Sequence, residues 1–177
     1  MKKISIIILC LVITTTINAQ IKPLSTINEL TANQFENIKL NGVTLKSIWD
    51  TSGNEDAIKN LFGEPTYINK QSEFADGVIS REFYFDGIEM GFYNSFSSMG
   101  NLGGFKITSS TPSITINGIT IKIGDNISKL GNVVITNMTT GGKSIVYSPD
   151  YDETTFLAIE FDESSGTIQE IIYYVLT

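Results

Sequence analysis

The sequence predicts an α+β protein made of two tandem repeats, each a short helix plus a three- to four-stranded antiparallel meander. Three observations predict it. The stretch Ile38-Lys39-Leu40-Asn41-Gly42-Val43-Thr44-Leu45-Lys46 returns as Ile114-Thr115-Ile116-Asn117-Gly118-Ile119-Thr120-Ile121-Lys122, with Ile, Asn, Gly, Thr and Lys in register. Each copy is followed by a short apolar-periodic segment that stops at a glycine. Each of those is followed by runs of β-branched and aromatic residues punctuated by turn residues. Helix then meander, twice, is the pattern of an α+β chain.

Taken in order, residues 1–19 have the three parts of a secretory signal peptide. Lys2 and Lys3 form a basic start, Ile4 to Ile13 an apolar run, and Ile17-Asn18-Ala19 a small-residue exit, so cleavage is expected near Ala19-Gln20. The run is shorter than the roughly 20 apolar residues of a resident membrane helix. Lipidation at Cys10 would want a small residue before it, but Leu9 is large and the run stays apolar beyond. The product is therefore expected to be exported, to the periplasm or the medium, with no transmembrane segment in its mature part.

Residues 20–37 form an N-terminal segment. Thr26-Ile27-Asn28-Glu29 fits a capping box, which predicts a short helix running to about Phe35. The first repeat is assigned to 38–110. Asn41-Gly42 between β-branched residues predicts a tight turn of positive φ. Asn54 is placed to cap a helix over Glu55–Phe62, with Ile58, Leu61 and Phe62 on one face, Gly63 ending it and Pro65 blocking continuation. Strands are predicted at Thr66–Asn69, Ser80–Phe85, Ile88–Tyr93 and Gly104–Ser109, with a turn at Asp86-Gly87 and a long Ser- and Gly-rich loop over Asn94–Gly104.

Ser109 to Pro112 reads as the linker, and the second repeat is assigned to 111–177. Asn117-Gly118 predicts the equivalent turn. Asp125 is placed to cap a shorter helical segment containing Ile127 and Leu130, stopped by Gly131. Strands are predicted at Val133–Asn137, Lys143–Ser148, Thr155–Phe161 and Thr167–Leu176, with turns at Gly141-Gly142, Pro149–Glu153 and Asp162–Gly166. Alternation puts Ile88, Met90 and Phe92 on one face, and Leu157, Ile159 and Phe161 on one face of the matching strand.

This order resembles the β-lactamase-inhibitor-protein fold, and each half is similar to the small outer-membrane assembly lipoproteins of the BamE/SmpA type. The likeness rests on the Asn-Gly strand motif, the helix exits at Leu61-Phe62-Gly63 and Leu130-Gly131, and strands ending near Phe105-Lys106-Ile107 and Ile168–Ile172. It covers roughly Ile38 to Leu176. It implies a concave sheet that binds partners without catalysis, and it carries over no individual functional residue.

Composition limits the chemistry. The precursor has a net charge of −7, and loss of two lysines with the signal takes the mature chain to −9. Histidine is absent and Cys10 is the only cysteine, so triads built on imidazole or thiolate are excluded from the mature chain. Zinc and copper sites of the usual His and Cys type go with them. Acidity, with Arg81 as the only arginine, argues against nucleic acid. No cofactor is expected.

Two candidate sites follow. Aromatics crowd the first repeat, and Trp49, Tyr84, Tyr93 and Phe96, with Met99 in the adjoining loop, are candidates for a partner-binding surface. Core packing is the competing reading. Asp150, Asp152, Glu153, Asp162 and Glu163 sit in two hairpin loops and are candidate calcium ligands if the loops share one end of the sheet. Solvated turns are the competing reading. The expected function is a secreted, non-catalytic binding protein that meets a protein or cell-envelope partner through its sheet face and the 94–104 loop. The alternatives are a structural accessory of the envelope, or a hydrolase using carboxylates such as Glu82, Glu89 or Glu160.

Overall fold

Asn-Gly bends the chain in the same way at both copies of the repeated motif. Asn41 and Gly42 have φ of 47° and 84°, and Asn117 and Gly118 have 49° and 82°. A turn with positive φ at both central residues matches the twist of the strands it joins. Two hairpins result in the computed structural model, which describes residues 26–71, 79–94, 101–137 and 142–176. The first joins β2 (Lys39–Leu40) to β3 (Val43–Thr44), and the second joins β8 (Ile114–Ile116) to β9 (Ile119–Ile121). β2 and β8 pair antiparallel, Leu40 opposite Ile114, giving a small sheet of order β3-β2-β8-β9. Leu40, Ile114, Ile116 and Ile121 are buried, each contributing about 1.5–3 kcal/mol of transfer free energy.

The N-terminal segment departs from expectation. Residues Asn28–Leu30 are a strand, β1, parallel to Tyr147–Pro149. The Asn28 side chain donates to the carbonyls of Val134 and Val146 and accepts from the Val134 amide. That bonding holds the backbone extended where a capping box at Thr26–Glu29 was expected. The capping box lies five residues later: Thr31 accepts from Gln34, whose side chain takes the Thr31 amide. It starts helix α1 (Ala32–Glu36).

A second helix, α2 (Leu45–Asp50), is capped by Thr44, which accepts from the Ser47 amide at 3.1 Å. Sequence reading left Leu45 and Lys46 in the repeated motif and did not anticipate it. The next helix, α3 (Glu55–Phe62), has the expected bounds, with Asn54 accepting from Ala57 and Gly63 past its end. The short helical segment expected around Ile127 and Leu130 is one turn of 3₁₀ helix over Ile127–Leu130, capped by Asn126 rather than Asp125. Asp125 is committed elsewhere, accepting from the Lys122 amide and pairing with Lys129 at 2.7 Å.

The remaining strands are β4 (Tyr67–Gln71), β5 (Ile79–Phe85), β6 (Ile88–Asn94), β7 (Asn101–Ile107), β10 (Thr136–Asn137), β11 (Lys143–Pro149), β12 (Thr155–Phe161) and β13 (Ile168–Val175). They form one sheet of order β1-β11-β12-β13-β7-β6-β5-β4, with β10 pairing to β11 as a ninth strand. β7 starts three residues earlier than expected, so Asn101, Leu102 and Gly103 are strand residues and not loop. Gly104 faces Gly91 on one side and Tyr174 on the other. A Cβ at Gly104 would lie 2.7 Å from the Tyr173 carbonyl oxygen, so the glycine is required by that close approach.

One face of this sheet is the core. Phe83, Ile88, Met90, Phe92, Phe105, Ile107, Leu157, Ile159, Ile171 and Tyr173 point to it, in a single buried cluster with Phe35, Ile48, Ile58 and the small-sheet isoleucines. Both expected alternations, Ile88/Met90/Phe92 and Leu157/Ile159/Phe161, are buried on that face. The fold is mixed α+β, mostly strand, in two sheets. Among the described residues no helix is long and apolar enough to cross a membrane.

Candidate functional site

Among the described residues, the other face of the large sheet has no α-helix and none of the small sheet packed on it, because those elements join the core on the opposite side. It is open around Glu89, Tyr93 and Lys106, whereas Ser144, Val146 and Ala158 on the same face are buried. Strand register orders its side chains into rows. One row reads Asn69, Glu82, Gly91, Gly104, Tyr174, Phe156. The next reads Tyr67, Tyr84, Glu89, Lys106, Ile172, Ala158. Gly91 and Gly104 lie side by side, so the sheet backbone itself floors a trough of about 250 Å³ between Glu82 and Tyr84 on one side and Ile172 on the other. Tyr93, 46% exposed, leans its ring over Gly103, where a Cβ would collide with it.

Polar contacts hold the walls. Glu82 accepts hydrogen bonds from Asn69 and from the Tyr84 hydroxyl, both at 3.0 Å. That bond to a carboxylate, together with partial burial, raises the Tyr84 hydroxyl above its ordinary pKa. Lys106 pairs with Glu170. The pairing holds its ammonium above the usual lysine value, with smaller contributions from Glu89 and Glu160. Tyr67 packs against Tyr84, and Phe156 against Tyr174, with ring centroids 5.7 Å and 5.3 Å apart.

The expected aromatic surface is divided by this geometry. Tyr84 and Tyr93 share the open face. Trp49 lies on the opposite side of the sheet, in α2, half-buried and stacked on Phe35 with centroids 6.5 Å apart. It also meets the Tyr173 hydroxyl, whose burial pushes it up to about 12. Trp49 therefore belongs to the core side and cannot join Tyr84 and Tyr93 on one surface. Phe96 and Met99 lie outside the described residues. Tyr174, Phe156, Ile172, Lys106 and Glu170 belong to the face and escaped sequence reading. Strand Ile168–Val175 is apolar on both sides over its second half, so alternation marked no outward set there. Glu170 and Lys106 were legible as outward positions once Ile171 and Ile107 were placed inward.

The expected calcium ligands do not converge. Asp150, Asp152 and Glu153 lie between β11 and β12, whereas Asp162 and Glu163 lie between β12 and β13. Successive turns of a meander fall at opposite ends of the shared strand, and β12 separates these by roughly 20 Å. Each loop also spends its carboxylates locally. Asp152 accepts from the Thr154 amide and hydroxyl and from the Thr155 hydroxyl. Asp162 accepts from the amides and hydroxyls of Ser164 and Ser165, which bring its carboxyl down to about 2. Glu163 pairs with Lys143 at 2.9 Å. Among the described residues no group of three or more acidic side chains is arranged to hold a metal ion.

The carboxylates considered for hydrolysis, Glu82, Glu89 and Glu160, all point outward on the open face, as alternation implied. Glu160 stands directly opposite Glu170 across β12 and β13.

No protein-family model matches the chain, and no curated protein matches it. Among solved structures, a cysteine-rich secretory protein from Staphylococcus aureus is similar over 68% of this chain, with 12% identity and a TM-score of 0.36. The match spans 41% of that protein's own chain.

Proposed function

We propose that this chain is an exported, non-catalytic binding protein of two α+β repeats, 38–110 and 111–177, which takes its partner on the open face of the large sheet. The observation that carries the reading is the glycine-floored trough on that face, walled by tyrosine and carboxylate side chains and left clear by every α-helix among the described residues. Exposed aromatic rings such as Tyr93 beside a glycine-floored trough are what recognition of a macromolecule uses.

The two-repeat reading is supported by strand order. β2 meets β8 in the small sheet and β7 meets β13 in the large one, so strands at equal places in the two halves lie at mirrored places in each sheet. The order β4-β5-β6-β7 is answered by β13-β12-β11-β10. This arrangement agrees with the likeness to the β-lactamase-inhibitor-protein fold and to BamE-type units. The signal-like residues 1–19 supply export, and N-terminal sequencing of the mature protein should begin at Gln20.

Photo-cross-linking tests the binding face. A benzoylphenylalanine placed at Tyr93 or Tyr174, in the protein exposed to envelope and culture medium of its native cells, should give a discrete adduct. The same group at Asp56, exposed on α3 across the sheet, should give none. Equal adducts at all three positions, or none at the open face, would refute the reading.

A further inference from the structure

We infer that the occupant of the open face is an extended, cationic polypeptide segment rich in lysine or arginine. The inference rests on the reading of that face as the binding surface and adds the chemistry of the partner.

Five consecutive strands, β5, β6, β7, β13 and β12, each contribute one charged side chain to this face: Glu82, Glu89, Lys106, Glu170 and Glu160. Register places them on a diagonal that shifts in one direction along the strands. With strands about 4.8 Å apart and residues about 3.3 Å apart, it runs roughly 23 Å, the span of about seven extended residues. Four carboxylates face one ammonium along it. Lys106 neutralises Glu170, which leaves Glu82, Glu89 and Glu160 as unbalanced negative charge on both sides of the trough.

The aromatic neighbours suit the same ligand. Tyr84 sits beside Glu82 and Tyr93 offers an exposed ring over Gly103. A cation over a tyrosine ring gains from its quadrupole, more so when a carboxylate is at hand. Gly91 and Gly104 leave room for a backbone to settle onto the sheet. An extended peptide presents every second side chain to one side at about 6.7 Å intervals, so its cations can reach Glu82 and Glu89, which register sets roughly 8 Å apart. An acidic or phosphorylated partner would meet repulsion at Glu82, Glu89 and Glu160.

Fluorescence anisotropy with labelled decapeptides tests this. The probes alternate threonine with lysine, with glutamate, or with serine. The lysine peptide should bind, and its affinity should fall steeply between 20 and 200 mM salt, across which the Debye length shortens from about 20 to 7 Å. The glutamate and serine peptides should not bind. Glu82→Gln with Glu89→Gln should weaken the lysine peptide about fivefold. The glutamine at position 82 still accepts from Tyr84 and Asn69, so the fold is kept. Asp56→Asn with Glu64→Gln, of equal charge change on the other side of the sheet, should leave affinity unchanged.

Equal binding of the serine peptide, indifference to salt, or equal loss in both double variants would overturn the proposal. So would self-association through Tyr93 seen by sedimentation, which would make a second copy the occupant. Cross-linking at Tyr93 without lysine-peptide binding would reject the cationic partner while leaving the binding face standing.

Discussion

Replacing Phe105 with alanine tests the packing that joins the two halves. Phe105 lies on β7, is 3% exposed, and stacks on Tyr173 of β13 with centroids 5.3 Å apart and planes 13° from parallel. Those two strands form the large-sheet seam between the halves. Truncation removes roughly 120 Å² of buried ring, about 3 kcal/mol at ~25 cal/mol per Å². The lost stack adds about 0.5–1.5 kcal/mol. The sum, about 3.5–4.5 kcal/mol, falls within the ~3–5 kcal/mol cost of buried phenylalanine-to-alanine changes. Against a total of about 5–15 kcal/mol it should lower the urea midpoint by about 2 M. Trp49, the single tryptophan, reports the first half, and far-UV circular dichroism reports the whole sheet. Both should give one coincident transition before and after the change. Phe105→Leu, which keeps most of the volume, should cost under about 1.5 kcal/mol. A loss below about 1 kcal/mol for Phe105→Ala, or separate Trp49 and dichroism transitions, would refute the view that this seam binds the halves into one cooperative unit.

Gly42→Ala and Gly118→Ala should each cost about 1–2 kcal/mol, because both sites have positive φ and open space around them. The two costs should agree within about 0.5 kcal/mol in urea melts, and a large disagreement would deny that the turns are equivalent. Asn54→Ala should cost about 1 kcal/mol by freeing the Ala57 amide, whereas Asn126→Ala should also release the Ser165 carbonyl it holds and loosen the turn after β12, seen as faster amide exchange there. Asp162 has its carboxyl near 2, against an ordinary 3.8. A folded value below the unfolded one contributes stability that is present above about pH 3.8 and is lost as the pH falls toward 2. Asp162→Asn should therefore flatten the drop of Tm between pH 4 and 2, and an unchanged slope would contradict the hydrogen bonding seen at that loop.

Local rules succeeded where one short segment holds its own answer. Asn54, Ile58, Phe62 and Gly63 specify α3 without help from the rest of the chain, and Asn41-Gly42 and Asn117-Gly118 specify their turns. They failed where a distant partner decides. Thr26–Glu29 satisfies the capping pattern, but Asn28 finds Val134 and Val146 more than a hundred residues away, and pairing with β11 overrides the helix. Gly103 looks like a loop residue because what it makes room for, the Tyr93 ring folded over it, is invisible to a window of sequence. The two acidic loops were grouped by composition, whereas the parity of a meander sends them to opposite ends. Tyr84 and Tyr93 were legible on the open face from alternation alone. Trp49 was drawn to them by proximity in sequence, and only the packing of α2 shows it on the other side.

The strand order also dictates a timetable. β13, last of the strands in sequence, sits in the middle of the large sheet, between β7 and β12. A chain that appears N-terminus first therefore presents two separate half-sheets, each with a bare hydrogen-bonding edge. β1, among the earliest segments to appear, has no β11 to dock on until some 115 further residues have followed. Neither edge closes until Ile168–Val175 is through. Any quality control that samples the emerging chain would thus meet a sticky, half-zipped intermediate until almost its last strand, and a nonsense codon before Ile168 would leave it permanently in that state.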